Sequence, residues 1–468
     1  MHMENVEMRP GAQTSLTAAP APGDRSDRRA PNHPRISRLR VGIVALAVFI
    51  GSAIVVLGTA EFGEKVVVTR APQSSSLVEK MANWDGSWYA KIATVGYDYS
   101  PIKTSGIVYF PAYPLVSRAV MRLGGIGILG ALAIVSNVFL LAAMLIWAMY
   151  VRLRVAGPRA GSVAVYAIIA MGVCPSTFFF HMAYTESMLL CLCVLSFYGM
   201  QRCWPPIVIA LIIGLATATR SVGVALLPAF FLYLWDVSAW APGNSFGGGS
   251  MLKVRSVNTA AMDPGASGET RLGPRIRRFS RSALLAGPLA CWGLAAFMGF
   301  QLWRFGTPLA FGKAEMVWRV RASPESIGAS FVKLITFEPI RNTYNAASPC
   351  YWGRYIPRNA ALLNLNFANP IFFVATALLL VLGIIKGWLD RREAALGATL
   401  LLIPYVMQSC RQCTISEARF ASIVFPAYLV VGHLLARLPR FVAVYLIACG
   451  CLMLAIYTAM FAGNYPAF

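Results

Sequence analysis

The chain has 468 residues, of which 57% are hydrophobic and only 13% are charged, and its formal net charge is +22. A soluble domain is closer to roughly one-quarter charged, so this composition excludes an ordinary soluble protein and predicts an all-α polytopic membrane protein. The positive charge does not indicate a nucleic-acid partner, because the arginines and lysines lie mostly in loops between apolar runs, where they face anionic lipids.

Residues 1–38 precede the first apolar run and are polar, with several prolines and with a group of arginines next to the run. This pattern predicts a disordered basic arm that stays in the cytoplasm and places the N-terminus inside. The apolar run starts too late and is too long for a cleavable signal peptide. The remainder, 39–468, is predicted to form a single transmembrane domain.

Eleven apolar segments are predicted to cross the membrane as helices. They lie near residues 41–60, 127–150, 161–180, 186–201, 205–219, 221–235, 282–303, 368–388, 394–409, 420–437 and 441–462. The stretch 205–235 is longer than one span needs, and dividing it at Arg220 removes that charge from the middle of the membrane. The division also returns the basic segment 236–281 to the cytoplasm as a linker.

This topology leaves two long, aromatic-rich loops, 61–126 and 304–367, on the outer side of the membrane. Shorter connections that carry arginines, such as Arg154 and Arg391, lie inside. The polar features that look specific are predicted to collect on the outer face, and they are "FHMAYTES" (180–187), Arg220, "WRFGTPLAF" (303–311) and "SEAR" (416–419).

The cysteines and histidines provide little support for a metal site. Cys410 and Cys413 form a single CxxC pair, which is weak evidence for zinc without a second pair or a nearby histidine. A disulfide between this segment and Cys350 requires both to face an oxidising compartment. The chain has four histidines, and His181 is interpreted as a hydrogen-bonded residue at the membrane interface. No metal and no other cofactor is predicted.

The stretch "NWDGSWYAKIATVGYDY" (83–99) predicts a short amphipathic helix at the interface, with Asp85 in its first turn. Its apolar residues at helical spacing are Trp84, Trp88, Ile92 and Val95. Two interpretations of Asp85 stay open: a helix cap in an aromatic belt, or a general base beside an aromatic platform for a sugar. One carboxylate suits sugar transfer from a phosphate, which departs unprotonated, whereas glycoside hydrolysis uses two.

A departing lipid phosphate needs cationic donors. The candidates are Arg220, Arg304 and Arg419, because a guanidinium matches phosphate oxygens and stays charged in a low dielectric. The alternative is that they reach lipid headgroups, which suits Arg304 better than Arg220. Glu186, close to Tyr184 at the mouth of the fourth span, has three open roles: a helix cap, a partner for a sugar hydroxyl, or a partner for an arginine.

Six stretches resemble, in their order along the chain, motifs of the GPI mannosyltransferase II (PIG-V-like) family, which belongs to the GT-C class of membrane glycosyltransferases. They are "NWDGSWYAKIATVGYDY", "VYFPAYPLVSRAV", "CPSTFFFHMAYTESMLLCL", "GLATATRSVGVAL", "QLWRFGTPLAFGKAEMVW" and "SEARFASIVFPAYLV". The resemblance implies a GT-C-like bundle in which Trp84 and Asp85 form an essential Trp-Asp pair on the outer side, with Asp85 catalytic.

The same resemblance implies inverting transfer of mannose from a polyprenyl- or dolichyl-phosphate donor, with an α-1,6-linked product. The residues expected to bind substrates are Trp84, Trp88, Tyr184, Glu186, Arg220, Arg304 and Arg419. The Arg/Ala/Gly-rich composition favours a bacterial cytoplasmic membrane, with the endoplasmic reticulum as the alternative for a eukaryotic source. A bacterial acceptor would be a cell-envelope glycolipid, glycan or protein, and an accessory subunit would be a further partner.

Two other functions compete with this one. A secondary transporter or lipid flippase would place its charges inside spans near the midplane and would contain repeated bundles. A non-catalytic scaffold would tolerate substitution of Trp84 and Asp85. The collection of charges at one face, beside two long loops, favours the enzyme.

Overall fold

The structure is a computed structural model, which describes residues 37–63, 76–239, 272–318, 327–354, 364–412, 414 and 416–464. Within these ranges the chain forms helices joined by turns and contains no strand, so the all-α architecture is confirmed. Most of the predicted arm (1–38) lies outside the described residues, and so does the central part of the predicted linker (236–281).

Nineteen helices are described. Those before residue 240 are α1 (Arg38–Phe62), α2 (Leu77–Met81), α3 (Asp85–Thr94), α4 (Ala112–Gly124), α5 (Ile128–Arg154), α6 (Ala160–Val173), α7 (Glu186–Gln201), α8 (Pro206–Thr219) and α9 (Leu226–Val237). Those after residue 271 are α10 (Leu272–Leu289), α11 (Trp292–Phe305), α12 (Ala310–Trp318), α13 (Ile327–Ile335), α14 (Glu338–Tyr344), α15 (Leu365–Ile385), α16 (Arg391–Gln412), α17 (Glu417–Ser422), α18 (Phe425–Leu435) and α19 (Arg440–Ala462).

Four of the described helices, α1, α5, α15 and α19, are each long and apolar enough to cross a membrane. The pair α10 and α11, bent by 45° at a short break, would form a fifth crossing. The helices α6, α7, α8 and α18 are apolar but shorter. Every predicted span overlaps at least one helix, although 161–180, 282–303 and 420–437 each include a break between helical segments. The total of eleven crossings stays a prediction.

The outward side of α1 shows why lipid must surround the bundle. Ile43, Leu46, Ile50 and Ile54 recur every three or four residues and are 45–68% exposed. An apolar stripe of this length is unfavourable in water, whereas hydrocarbon chains cover it without cost to the backbone, whose hydrogen bonds stay within the helix.

The helix α7 lies at the centre of the bundle and packs against α5 and α8. It is apolar nearly all round and most of its residues are buried, as expected for a helix enclosed on all sides. Its first residue, Glu186, is therefore a carboxylate inside the protein. This position places a buried carboxylate at the start of α7.

The predicted break at Arg220 is confirmed. The helix α8 ends at Thr219, Arg220 is extended (φ −156°, ψ 149°), and a 3-10 turn, Ser221–Ala225, leads into α9. Gly223 is needed in this turn, because a Cβ atom there would lie 2.4 Å from the carbonyl oxygen of Ala216. Arg220 therefore emerges at a helix end and not in the middle of one long span.

Both predicted outer loops contain helices, α2 to α4 in the first and α12 to α14 in the second. The last part of the predicted linker, 272–281, is instead the beginning of α10, because its apolar residues recur at helical spacing among the arginines. Cys350 in the second loop is disulfide-bonded. Its partner, like the side chains of Cys410 and Cys413, lies outside the described residues.

Candidate active site

The chain turns sharply into α3 at Asn83 and Trp84. Asn83 Nδ2 donates hydrogen bonds to the carbonyl oxygens of Phe461 (3.0 Å) and Ala462 (3.2 Å) at the end of α19. Trp84 then adopts φ 61° and ψ −114°, a backbone conformation that is unfavourable for a residue with a side chain. Strain of this kind is concentrated at functional sites, and here it immediately precedes Asp85.

Gly86 allows α3 to lie against the segment that precedes α7. A Cβ atom at Gly86 would approach Ala82 Cβ to 3.1 Å and the carbonyl oxygen of Ala183 to 3.4 Å. Ala183 N also donates to the carbonyl oxygen of Met81 at 3.0 Å. This close approach brings Asp85 next to the start of α7.

Asp85 is the first residue of α3, and its side chain bonds two distant side chains. Tyr109 Oη donates to Oδ1 (2.9 Å), and Arg419 Nη1 donates to Oδ2 (2.5 Å). Burial raises the pKa of Asp85, but the charge of Arg419 and the two hydrogen bonds outweigh burial and hold that pKa below its ordinary value. No side chain caps α3, so the cap interpretation of Asp85 is wrong.

Glu186 is fully buried at the first residue of α7, and its Oε1 accepts hydrogen bonds from two guanidinium groups. The donors are Arg220 Nη1 and Arg419 Nε. Arg220 Nη1 also donates to Thr185 Oγ1 at 3.2 Å. Of the three roles open for Glu186, pairing with arginine is the one observed, and Arg419 bridges Glu186 and Asp85. We call Asp85, Glu186, Arg220 and Arg419 the outer cluster, after the membrane face on which they are predicted to lie.

The helix ends around the outer cluster favour its charges. Asp85 and Glu186 begin α3 and α7, where the helix dipole stabilises an anion, and Arg220 directly follows the end of α8, where it stabilises a cation. The two carboxylates and two guanidiniums also sum to zero formal charge. Both features lower the free-energy cost of gathering four charges in a largely buried site.

Several polar groups of the outer cluster have no partner within the described part of the chain. Glu186 Oε2 is buried without a hydrogen bond, and the bonds of Arg419 use only Nε and Nη1. Arg220 uses only Nη1. Buried polar groups in native proteins are nearly always paired, so the unpaired Glu186 Oε2 makes this cluster a candidate ligand-binding site.

Aromatic rings line the approach to Asp85. Trp88 stacks on Tyr109 with ring centroids 6.0 Å apart and meets the edge of Trp318 at 5.3 Å. Trp318 belongs to the second predicted outer loop, so both loops contribute to one aromatic surface. Trp84, at the start of α3, is 37% exposed. Flat aromatic faces next to a carboxylate suit the binding of a sugar ring.

The apolar face predicted for α3 is only partly right. Ile92 is buried, but Val95 is 82% exposed. The side that packs inward instead carries Tyr89 and Ala93, because Tyr89 contacts the rings of Tyr109 and Tyr113. The spacing of the tryptophans therefore marks the aromatic surface and not the side of α3 that enters the core.

The structure brings together most of the predicted site residues, which come from four separate parts of the chain. Those in direct contact are Asp85, Tyr184, Glu186, Arg220 and Arg419. Arg304 is exposed at the end of α11 and makes no described hydrogen bond or ion pair with them. Tyr109 and Trp318 were missed, because no local spacing connects either residue to Asp85.

No group of three or more His, Cys, Asp or Glu side chains in the described ranges is placed to hold a metal ion. His181 is hydrogen-bonded, as predicted. Its Nδ1 pairs with Asn137 Oδ1 at 2.7 Å and its Nε2 with Ser52 Oγ at 3.1 Å.

No protein-family model matches this chain, and no curated protein matches it. Among solved structures, it is similar to the Archaeoglobus fulgidus oligosaccharyltransferase tethered to an acceptor peptide (12% identity, TM-score 0.41, 92% of this chain and 55% of that chain). The apo form of the same protein gives 13% identity and a TM-score of 0.42 over 92% and 56% of the two chains. The complex of that oligosaccharyltransferase with an inhibitory peptide and a dolichol-phosphate is 14% identical to this chain, with a TM-score of 0.38. The match covers 92% of this chain and 56% of that chain.

This chain thus spans about half the length of the structures that it matches.

Proposed function

We propose that the protein is a membrane glycosyltransferase of the GT-C class, which moves a sugar from a polyprenyl-phosphate donor to a hydroxyl group of an acceptor. By the family resemblance the sugar is mannose. The observation that carries the proposal is the outer cluster: a partly exposed carboxylate beside two arginines that retain vacant donors.

Asp85 is the general base in this proposal. Its side chain is 30% exposed, whereas Glu186 is fully buried, so an acceptor hydroxyl reaches Asp85 first. The aromatic surface of Trp88, Tyr109 and Trp318 lies alongside and would hold a sugar ring against this carboxylate.

Arg220 and Arg419 would bind the phosphate of the donor. Guanidinium groups form charge-assisted, often bidentate hydrogen bonds to phosphate oxygens. Both arginines are fixed through Glu186 at one nitrogen and keep other N–H groups without a described partner. Donors fixed in this way stabilise the negative charge that develops on the leaving phosphate.

The reaction is a single displacement. A bond forms between the acceptor oxygen and the anomeric carbon as the bond from that carbon to the phosphate oxygen breaks, with inversion at the anomeric carbon. The electron pair of the broken bond leaves on the phosphate, and the acceptor proton passes to Asp85. Water later takes this proton, so one carboxylate suffices.

The test is transfer from labelled polyprenyl-phosphate mannose by membranes that contain the full-length protein, followed by identification of the labelled product. Asp85→Asn is expected to lower the rate by about 10²- to 10⁴-fold, the usual contribution of a general base. Asp98→Asn is the matched control, because Asp98 lies on the same loop but pairs with Lys91 (2.9 Å) outside the outer cluster.

Near-normal transfer by Asp85→Asn would reject the proposal. Movement of a lipid or solute across liposomes by the purified protein, without sugar transfer, would favour a transporter or flippase.

A further inference from the structure

The ion pair between Asp85 and Arg419 makes Asp85 a weaker base. A general base works best when its pKa is near the working pH. Burial alone would raise the pKa of Asp85, but Arg419 and Tyr109 together hold it below the ordinary value. While it is paired with Arg419, Asp85 is therefore a weak base, and this bond must weaken before transfer.

We propose that the phosphate of the donor activates Asp85 by taking Arg419 away from it. This inference rests on the proposed function and concerns the regulation of the same site. Asp85 neutralises Arg419 until a lipid phosphate competes for the same guanidinium. The base then becomes effective only while a donor is bound.

The geometry of Arg419 suits such an exchange. Its Nε is held by Glu186, which is fully buried, while its Nη1 reaches the partly exposed Asp85. Its Nη2 has no described partner. The guanidinium also lies 4.4 Å from the ring centroid of Tyr184. Arg419 can therefore stay anchored to Glu186 while its outer N–H groups turn from Asp85 to a phosphate.

The charge of the cluster explains why a bound phosphate makes Asp85 a stronger base. The four groups are neutral together, so a bound phosphodiester leaves one surplus negative charge, which favours transfer of the acceptor proton to Asp85. A lipid monophosphate product carries about −1.5 to −2 and would hold Arg419 more strongly than the donor does.

The first test measures binding of a short-chain polyprenyl phosphate to the purified full-length protein in detergent. Asp85→Asn removes the internal competitor for Arg419, so it is expected to bind this probe about five- to tenfold tighter than the wild type does. Asp98→Asn is expected to bind like the wild type. Unchanged or weaker binding by Asp85→Asn would overturn the inference.

The second test uses the wild-type protein, so it does not depend on the folding of a variant. Binding of a phosphate raises the pKa of Asp85 by removing Arg419, so binding takes up a proton and affinity increases as pH falls. The probe is a methyl polyprenyl phosphodiester, whose own charge is constant between about pH 4 and 7.

Several charged or titratable groups surround Asp85 in this experiment. They are Arg220, Arg419, Glu186, Tyr89, Tyr109 and Tyr184. Burial raises the pKa of Tyr89 to about 12, and burial with the charge of Asp85 raises that of Tyr109, so neither tyrosine titrates in the acid range. The increase in affinity should disappear in Asp85→Asn, which separates Asp85 from Glu186. A flat profile in the wild type would overturn the inference.

The two proposals fail in distinguishable ways. If Asp85→Asn transfers sugar normally, the proposed function is wrong whatever the binding results. If Asp85→Asn loses transfer but binds the polyprenyl phosphate no more tightly than the wild type, only the exchange at Arg419 is wrong.

Discussion

Among the described residues, two clusters that contain arginines and carboxylates differ in how completely their carboxylate oxygens are paired. We call Tyr150, Arg154, Asp390 and Glu393 the inner cluster. Glu393 accepts hydrogen bonds from Tyr150 Oη (2.6 Å), Arg154 Nη2 (2.9 Å) and the backbone N of Asp390 (2.7 Å). In return Glu393 N donates to Asp390 Oδ1 at 2.8 Å, which completes a reciprocal cap at the start of α16.

The two clusters lie toward opposite ends of α16. This helix has 22 residues and rises about 33 Å, which matches the thickness of a bilayer core. The inner cluster surrounds its first turn, and Arg419 of the outer cluster follows its end. The inner cluster joins α5 to α16 with its carboxylate oxygens paired, whereas the outer cluster leaves Glu186 Oε2 vacant.

We expect this difference to separate charges that stabilise the fold from charges that act in the proposed transfer. A buried ion pair with every oxygen bonded adds fixed connections between helices, and removing one member leaves an uncompensated charge. A cluster with donors that bond no other protein group can offer these donors to a ligand. Substitutions in the inner cluster should therefore affect folding first, and those in the outer cluster should affect transfer first.

The largest effect on stability is expected for Glu393→Ala. Without this carboxylate Arg154 is buried with only the carbonyl oxygen of Trp388 and the more distant Asp390, so the free energy of unfolding should fall by about 3–5 kcal/mol. Reversible unfolding in mixed micelles measures this loss. Asp85→Asn should lose less stability, because Asp85 is partly exposed and Arg419 keeps its bond to Glu186. An equal loss of stability in both variants would remove the distinction between the clusters.

Arg220→Lys tests whether the outer cluster needs a guanidinium fork or only a positive charge. Lysine keeps the charge but loses bidentate geometry, so transfer at low donor concentration should fall about 10- to 100-fold with little change in stability. The matched control is Arg304→Lys, because Arg304 is exposed and outside the cluster. A similar loss in both variants would assign the effect to the surface charge of the loops.

Tyr109→Phe removes one hydrogen bond to Asp85 and keeps the aromatic ring. A hydrogen bond to the ionised carboxylate lowers its pKa, so its removal raises that pKa, and the acid limb of the pH–rate profile should move up by about one pH unit. The control is Tyr99→Phe, which alters a ring packed on Phe305. An acid limb that stays in place in Tyr109→Phe would show that Asp85 does not control it.

The smallest effect is expected for Lys91→Ala. Lys91 is 44% exposed and pairs with Asp98, which is 50% exposed, and exposed pairs contribute about 0.2–1 kcal/mol. Transfer rates and the unfolding midpoint should both stay close to the wild type. A large loss of transfer would mean that Lys91, which lies over the ring of Trp88, extends the outer cluster.

The sequence by itself determined the features that depend on neighbours along the chain. Hydrophobic runs identified the helices, because a backbone in lipid must satisfy its hydrogen bonds within each segment. The cost of a charge in mid-membrane predicted the break at Arg220, and the motif around Asp85 predicted a carboxylate in the first turn of a short helix.

Only the tertiary structure decided which charges meet. Asp85 and Arg419 are 334 positions apart, and Glu186 lies between them in the chain. No periodicity connects such residues. Their pairing follows from the close approach at Gly86, from the buried start of α7 and from the position of Arg419 after α16. For the same reason Tyr109 and Trp318 were missed, and Arg304, which has the same chemistry as Arg220 and Arg419, lies outside the cluster that they form with the two carboxylates.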